Sequence, residues 1–234
     1  MALVISAGLH LMALAGGAFS ILMGGASARE GFAPGRACDV SRISADVTLV
    51  DNRVRRNADI AMDLNAIAKG YAADLVAEVL IGAGYQDFLI EMAGDTLACG
   101  QRPDGLPWTV ALELPIRDRI IPARLIPLVA QNGWQAVATS GGYRRAIGEK
   151  SHLMSPISGA ALPASAALVA VVAPTTMEAD GWATVMAVLG PEAGLKLAAR
   201  YRLAVAYIER CPPDGFQESG SPAMAALLAA AAAS

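Results

Sequence analysis

The chain predicts an α+β fold, with mixed, largely antiparallel sheets and packed helices. Three observations carry this. Between residues 87 and 173 the candidate strands follow one another with turn signals between them, which suits antiparallel neighbours better than repeated βαβ units. Helical spacing is confined to segments near the start, after residue 63 and after residue 178. Hydrophobic residues make up 55% of the 234 and charged residues 17%, enough to bury a sizeable core and too apolar for a disordered chain.

Taken in order, residues 1–15 read as a helix, because "GLHLMALAGGAFSI" is amphipathic and stops at Gly16-Gly17. The first 28 residues contain no Lys or Arg and end in "ASA" before Arg29, which resembles a signal peptidase site. A secretory signal wants a positive start, so folded structure is the favoured reading and no compartment is assigned. Residues 16–36 read as a Gly-rich loop region. "DVTLVDNRVRR" suggests a strand pair turning at Asp51-Asn52.

"MDLNAIAKGYAADLVAEVLIGAGY" spaces Leu64, Ile67, Ala68, Tyr71, Leu75, Val79 and Leu80 as a helix does, with Gly82 and Gly84 stopping it. Asp63 is expected at its start and Lys69 within its second turn. Strand candidates follow at "DFLIEM", "WTVALEL", "IPLVA", "WQAVATS" and "SHLMS". The continuously apolar strand "ALVAVVA" runs into the helix "EADGWATVMAVLG", and a further helix, "PEAGLKLAARY", precedes the strand "LAVAYIE". Residues 223–234 are an Ala-rich tail. No internal repeat is visible, and no segment makes a convincing transmembrane helix.

Composition narrows the function. Net charge is -3 and the densest basic run, "NRVRR", is short, so there is no electrostatic footprint for nucleic acid. Cys38, Cys99 and Cys211 are scattered and odd in number, with neither zinc spacing nor a disulfide framework. Only His10 and His152 are available to a histidine-based site.

Four junctions carry candidate chemistry. Asp180 and Thr184 stand four apart on one helix, so a carboxylate and a hydroxyl can reach a common point, a hard-oxygen pair suited to Mg²⁺ or Ca²⁺. The competing reading has Asp180 serving the first helical turn and Thr184 bonding back to a carbonyl. "EMAGD" is a strand with a small-residue turn. In "ATSGGYRR", Ser140-Gly141-Gly142 forms either a phosphate cradle or a hairpin turn. "SHLMSPISG" holds His152, either a packed structural residue or a catalytic one.

The order of these motifs resembles that of the FAD:protein FMN transferases, the ApbE family. "GGAFSI", "DLNAIAKGYAAD", "EMAGD", "GLPWTVALELP", "ATSGGYRR", "SHLMSPISG" and "EADGWATVMAVLG" follow in sequence from about residue 10 to about residue 210. The resemblance implies a single domain over 1–234 that transfers FMN from FAD to a threonine hydroxyl of a target protein, releasing AMP, with Mg²⁺. It implies metal ligation by Ala66, Asp180 and Thr184, contacts to FAD from Ala18, Phe19, Ser20, Asp63, Lys69 and Met154, and His152 as general base. The acceptor it implies is a protein with a (S/T)-(G/A)-A-T type threonine site. Hydrolysis of FAD to FMN and AMP on the same site, or binding of FAD without catalysis, are the alternatives.

The chain departs from the family pattern in two places. Ser20 and Ser155 stand where the family has Asp, and nothing here corresponds to the segment preceding the "GGAF" loop. The chain is therefore expected to be an N-terminally shortened member, of a family whose members are often exported lipoproteins.

Overall fold

The computed structural model describes residues 1–37, 47–129, 133–164, 167–211, 213 and 215–232. Cys38, Ala130 of the "IPLVA" segment and the last two residues of the tail lie outside them. The elements are α1 (Ala2–Leu14), α2 (Gly24–Arg29), β1 (Val47–Val50), β2 (Arg53–Arg56), α3 (Ala68–Gly82), β3 (Phe88–Met92), β4 (Asp95–Cys99), β5 (Trp108–Glu113) and β6 (Pro122–Leu128). They continue with β7 (Trp134–Gly141), β8 (Ala146–Ile147), β9 (Lys150–Ser155), β10 (Ala160–Pro163), β11 (Ala167–Ala173), α4 (Thr176–Tyr201), β12 (Ala204–Cys211), β13 (Gly215–Gly220) and α5 (Pro222–Ala232).

The centre is a six-stranded sheet in the order β13-β12-β11-β7-β4-β3, antiparallel at every pairing. Alternation along each strand divides two cores between its faces. On β11, Val169, Val171 and Ala173 join the cluster under α1, α3 and α4, while Leu168, Ala170 and Val172 join that under the β5–β6 hairpin and α5. Both faces being covered is why this strand reads as an unbroken apolar run. A third, small cluster seats Met23 and Ala26 of the α2 region on Met154, beside the three-stranded sheet β10-β9-β8.

The predicted strand pair at the Asp51-Asn52 turn forms as β1 and β2, with both turn residues at positive φ. Gly16 and Gly17, also at positive φ, end α1 as expected. The expected loop over 16–36, however, contains α2. The "ASA" stretch lies in that helix, with Ala26 and Ser27 buried. The two helices expected around residue 190 form one element, broken at Gly190 with φ 70° before Pro191. The Tyr207 hydroxyl donates at the break, 2.8 Å from the Met186 carbonyl and 3.1 Å from that of Gly190. No helix among the described residues is long and apolar enough to cross a membrane.

The helix after residue 63 is present but turned differently from its expected face. Its buried residues are Gly70, Ala73, Asp74 and Ala77, while Leu75 is 41% and Val79 72% exposed. The reason is close packing. A Cβ on Gly70 would overlap the Thr176 carbonyl at the start of α4, so α3 meets α4 through its smallest side chains and turns larger ones outward. The helix also begins at Ala68, five residues beyond Asp63, which places Lys69 in its first turn rather than its second.

Candidate active site

Four elements converge on one cavity of about 810 Å³, walled by the start of α3, the middle of α4, the loop after α1 and the β9 strand. Ala18, Phe19, Ser20, Asp63, Ala66, Lys69, His152, Met154, Asp180 and Thr184 all line it. A volume of this order suits a nucleotide-sized ligand.

At the floor, α3 and α4 bring Lys69 and Asp180 together, and the two-residue turn Ala93-Gly94 carries Asp95 beside them. The turn is left-handed at both residues, which matches the twist of the β3–β4 hairpin. The Lys69 Nζ stands 2.7 Å from Asp95 Oδ2 and 2.7 Å from Asp180 Oδ1. The Gly70 N–H donates to Asp180 Oδ2 at 3.2 Å. Both carboxyl groups are buried and share one ammonium, so the cluster holds one more acid than base.

The titration behaviour follows from that imbalance. Burial, then repulsion from Asp180, pushes the Asp95 carboxyl up to about 7 despite Lys69. Burial likewise raises Asp180, with Lys69 opposing it. Burial disfavours the Lys69 cation, but Asp180 and then Asp95 outweigh it and hold its pKa above the ordinary value. A buried site with surplus negative charge is completed by a further cation or a proton.

Ala66, Asp180 and Thr184 all line the cavity, and their oxygens are of the type a hard cation takes. Because the Gly70 N–H turns to Asp180, it does not take the Ala66 carbonyl four residues back, and no described hydrogen bond engages that carbonyl. The half-buried Thr184 hydroxyl has no described hydrogen bond either, so it does not bond back along its helix. Asp180 is the fifth residue of α4 and buried, while Thr175 caps the helix through Glu178 N–H, so Asp180 is not an end-of-helix charge. Among the described residues no group of three or more His, Cys, Asp or Glu side chains is placed to hold an ion. A metal here would rest on mixed donors, one carboxylate, one hydroxyl and one carbonyl, a set suited to Mg²⁺.

Asp63 is held off the helix in a local turn. Its Oδ1 accepts from Asn65 N–H at 3.0 Å and its Oδ2 from the Ser27 hydroxyl at 2.7 Å, tying α2 to the cavity wall. Ser20 and Ser155, the two expected departures from the family pattern, each make a local turn. Ser20 Oγ accepts from Leu22 N–H at 3.1 Å, and Ser155 Oγ from Ser158 N–H at 3.3 Å. Each hydroxyl does the turn-making work of an Asp side chain without its charge. Ser155 is buried and not part of the cavity wall.

His152 stands on β9 with Nδ1 3.2 Å from the Arg145 carbonyl. A carbonyl can only accept, so Nδ1 carries the proton and Nε2 keeps its lone pair. Burial lowers the His152 pKa below its usual value, so the ring is neutral at pH 7.

The outer wall involves residues to which sequence analysis gave no role. Ser140-Gly141 is not a hairpin turn: both residues pair in β7 against β11 and line the cavity, and the chain then crosses to the smaller sheet. In that crossing, Tyr143 Oη donates to Glu113 Oε1 at 2.6 Å and Arg144 Nε donates to the same oxygen at 2.7 Å, fastening the β5–β6 hairpin. Arg145 Nη2 donates to the Phe32 carbonyl at 2.9 Å, fastening the opposite wall. Burial would raise the Glu113 carboxyl, but Arg144 and Tyr143 outweigh it and lower it. The signal for this pair was the polar "YRR" after a small-residue strand end, whose partner in "ALELP" lies 30 residues earlier.

A central antiparallel sheet covered by α1, α3 and α4 on one face and by the β5–β6 hairpin and α5 on the other, with a nucleotide-sized cavity beside it, defines an α+β protein. The sequence model of the ApbE family matches residues 1–208, and the chain belongs to that family. It is 33% identical over 167 residues to an FAD:protein FMN transferase of Vibrio cholerae, covering 70% of this chain and 48% of that one. To an FAD:protein FMN transferase of Escherichia coli K12 it is 34% identical over 175 residues, 73% of this chain and 48% of the other. The apo flavinyl transferase ApbE of Pseudomonas stutzeri superimposes with a TM-score of 0.80 at 32% identity, over 96% of this chain and 72% of that one. The chain thus spans about half the length of the curated relatives it matches.

Proposed function

We propose that this chain transfers FMN from FAD to a threonine hydroxyl of an acceptor protein and releases AMP. What supports the reading is one observation: the ten residues carried over from the family's motifs all line a single cavity, in which Asp180 is buried and neither the Ala66 carbonyl nor the Thr184 hydroxyl has a described hydrogen bond. In the reaction a threonine oxygen bonds to the FMN phosphorus as the P–O bond to AMP breaks, and the hydroxyl proton must leave. His152 Nε2 is the acceptor for that proton, with the Arg145 carbonyl fixing the tautomer. Ala66, Asp180 and Thr184 would hold Mg²⁺, whose chemistry is to offset the negative charge of a diphosphate. Lys69 adds a second positive charge at the same floor, and Ala18, Phe19, Ser20, Asp63 and Met154 form the rest of the FAD wall.

The acceptor carries its threonine in a (S/T)-(G/A)-A-T type site. The test is incubation with FAD, Mg²⁺ and a fragment bearing such a site. Covalently fluorescent fragment with one AMP per FMN attached is the expected result. Free FMN with unlabelled fragment would replace transfer by hydrolysis, and unchanged FAD would reduce the site to binding alone.

A further inference from the structure

We propose that Asp74 is a positioning residue for the oxygen-donor site: it sets where α4 lies on α3, and thereby whether Asp180, Thr184 and the Ala66 carbonyl address one ion. This rests on the metal reading of that site. Asp74 is buried, one turn beyond Gly70 on the face of α3 that meets α4. Its two oxygens accept from the first two N–H groups of α4, Oδ1 from Thr176 at 2.8 Å and Oδ2 from Met177 at 3.0 Å.

The beginning of α4 is thus fully accounted for. Thr175 Oγ1 takes the Glu178 N–H, and the Ala179 N–H makes the first intrahelical bond to the Thr175 carbonyl, so the first three N–H groups of α4 are all held by side chains. Two of those three are held from another helix, about a hundred residues away in sequence. The carboxylate is also placed where the helix dipole favours a negative charge.

The same face of α3 supplies three contacts in a row. Lys69 holds Asp180 Oδ1, the Gly70 N–H holds Asp180 Oδ2, and Asp74 holds the turn before it. Gly70 lets the two backbones touch, and Asp74 fixes their register once they do. Asp180 lies one turn into α4 and Thr184 one turn further, so a shift at Thr176 carries both donors away from Ala66, which precedes α3. Asp74 touches neither the cavity nor any donor atom; it acts through the backbone.

The test measures Mn²⁺ uptake by the full chain without FAD, counting free ion by electron paramagnetic resonance. Mn²⁺ is the probe because it takes the same oxygen donors as Mg²⁺. Asp74→Ala should bind about tenfold or more weakly, the scale seen when a ligand's support is lost. Asp74→Asn, which keeps one acceptor oxygen, should fall between it and wild type, and it carries the test alone should Asp74→Ala not fold. Met224→Ala removes a side chain buried in the opposite core and should lower thermal stability without changing Mn²⁺ affinity. If both Asp74 variants bind as wild type while Asp180→Ala does not bind, Asp74 is an ordinary helix cap and the proposal is overturned. If Asp180→Ala also binds as wild type, or wild type takes up no Mn²⁺, the metal reading itself has failed.

Discussion

The two ends of the cavity are built on opposite principles. At the floor, α3 and α4 meet backbone to backbone, and two buried carboxylates share one lysine. At the outer wall, Glu113 at the end of β5 satisfies buried Tyr143 and half-exposed Arg144, with each charge paired. The floor buries two acids against one base, where desolvation makes each charge costly. The wall holds balanced charge near solvent, where an ion pair fastens a loop at little net energy. The difference teaches where chemistry and where positioning should be sought.

The largest expected effect lies at the floor. Asp180→Ala should lower FMN transfer by at least about 10³-fold, since a metal's charge stabilisation is worth several kcal/mol. Lys69 and Asp95 would remain as a neutral pair, so the variant should stay folded. Thr184→Val should cost less, because a neutral hydroxyl contributes less to Mg²⁺ binding than a carboxylate. Transfer rates measured across a Mg²⁺ titration decide this, and an Asp180→Ala enzyme as fast as wild type at limiting Mg²⁺ would remove the metal from the floor.

His152 stands between the two regions. His152→Ala should slow the chemical step by roughly 10²–10⁴-fold with FAD affinity largely kept, the usual cost of losing a general base. Burial lowers its pKa, so activity should rise with pH through a midpoint below the ordinary 6.5 and then level. The sign for stability agrees. The unfolded chain binds this proton more readily, so the contribution is present above the unfolded value and lost as pH falls through the lowered folded one. Single-turnover rates and thermal melts over the same pH range test both, and an FAD affinity that falls as far as the rate would make His152 a wall residue only.

Gly70→Ala separates backbone fit from charge. Alanine normally gains about 1 kcal/mol over glycine within a helix. Here its Cβ meets the Thr176 carbonyl, which is backbone and cannot rotate away, so overpacking at roughly 1–3 kcal/mol should win. Denaturant unfolding should show a net loss of stability. A gain would mean that α3 and α4 can separate freely, and the contrast between tight floor and loose wall would fail.

The smallest effect is expected at the wall. Glu113→Gln weakens a partly exposed ion pair and keeps an acceptor for Tyr143, so it should cost on the order of 1 kcal/mol. Transfer should change only a few-fold. A loss as large as that of Asp180→Ala would place the wall inside the chemistry.

Much of this molecule was decided by local sequence. Apolar runs between turn signals placed β7, β11 and β12, an apolar helical segment placed α4, and turn residues placed Asp51-Asn52 and the end of α1, because backbone sterics and burial act within a few residues. The ordered motifs also gathered ten of the residues that line the cavity, some from junctions, such as Ala18, Phe19, Ser20, Asp63 and Ala66, and some from within elements, such as His152, Asp180 and Thr184. Tertiary structure alone decided the rest. The large apolar side chains of α3 predicted a buried face that close approach to α4 reversed, and Asp63 left the helix it was expected to begin. Asp95 and Asp74 acquired their partners only across folds of the chain, at separations of 26 and 102 residues. A carboxylate's meaning depends on which donor and which charge arrive beside it, and that is fixed by packing rather than by its neighbours in sequence.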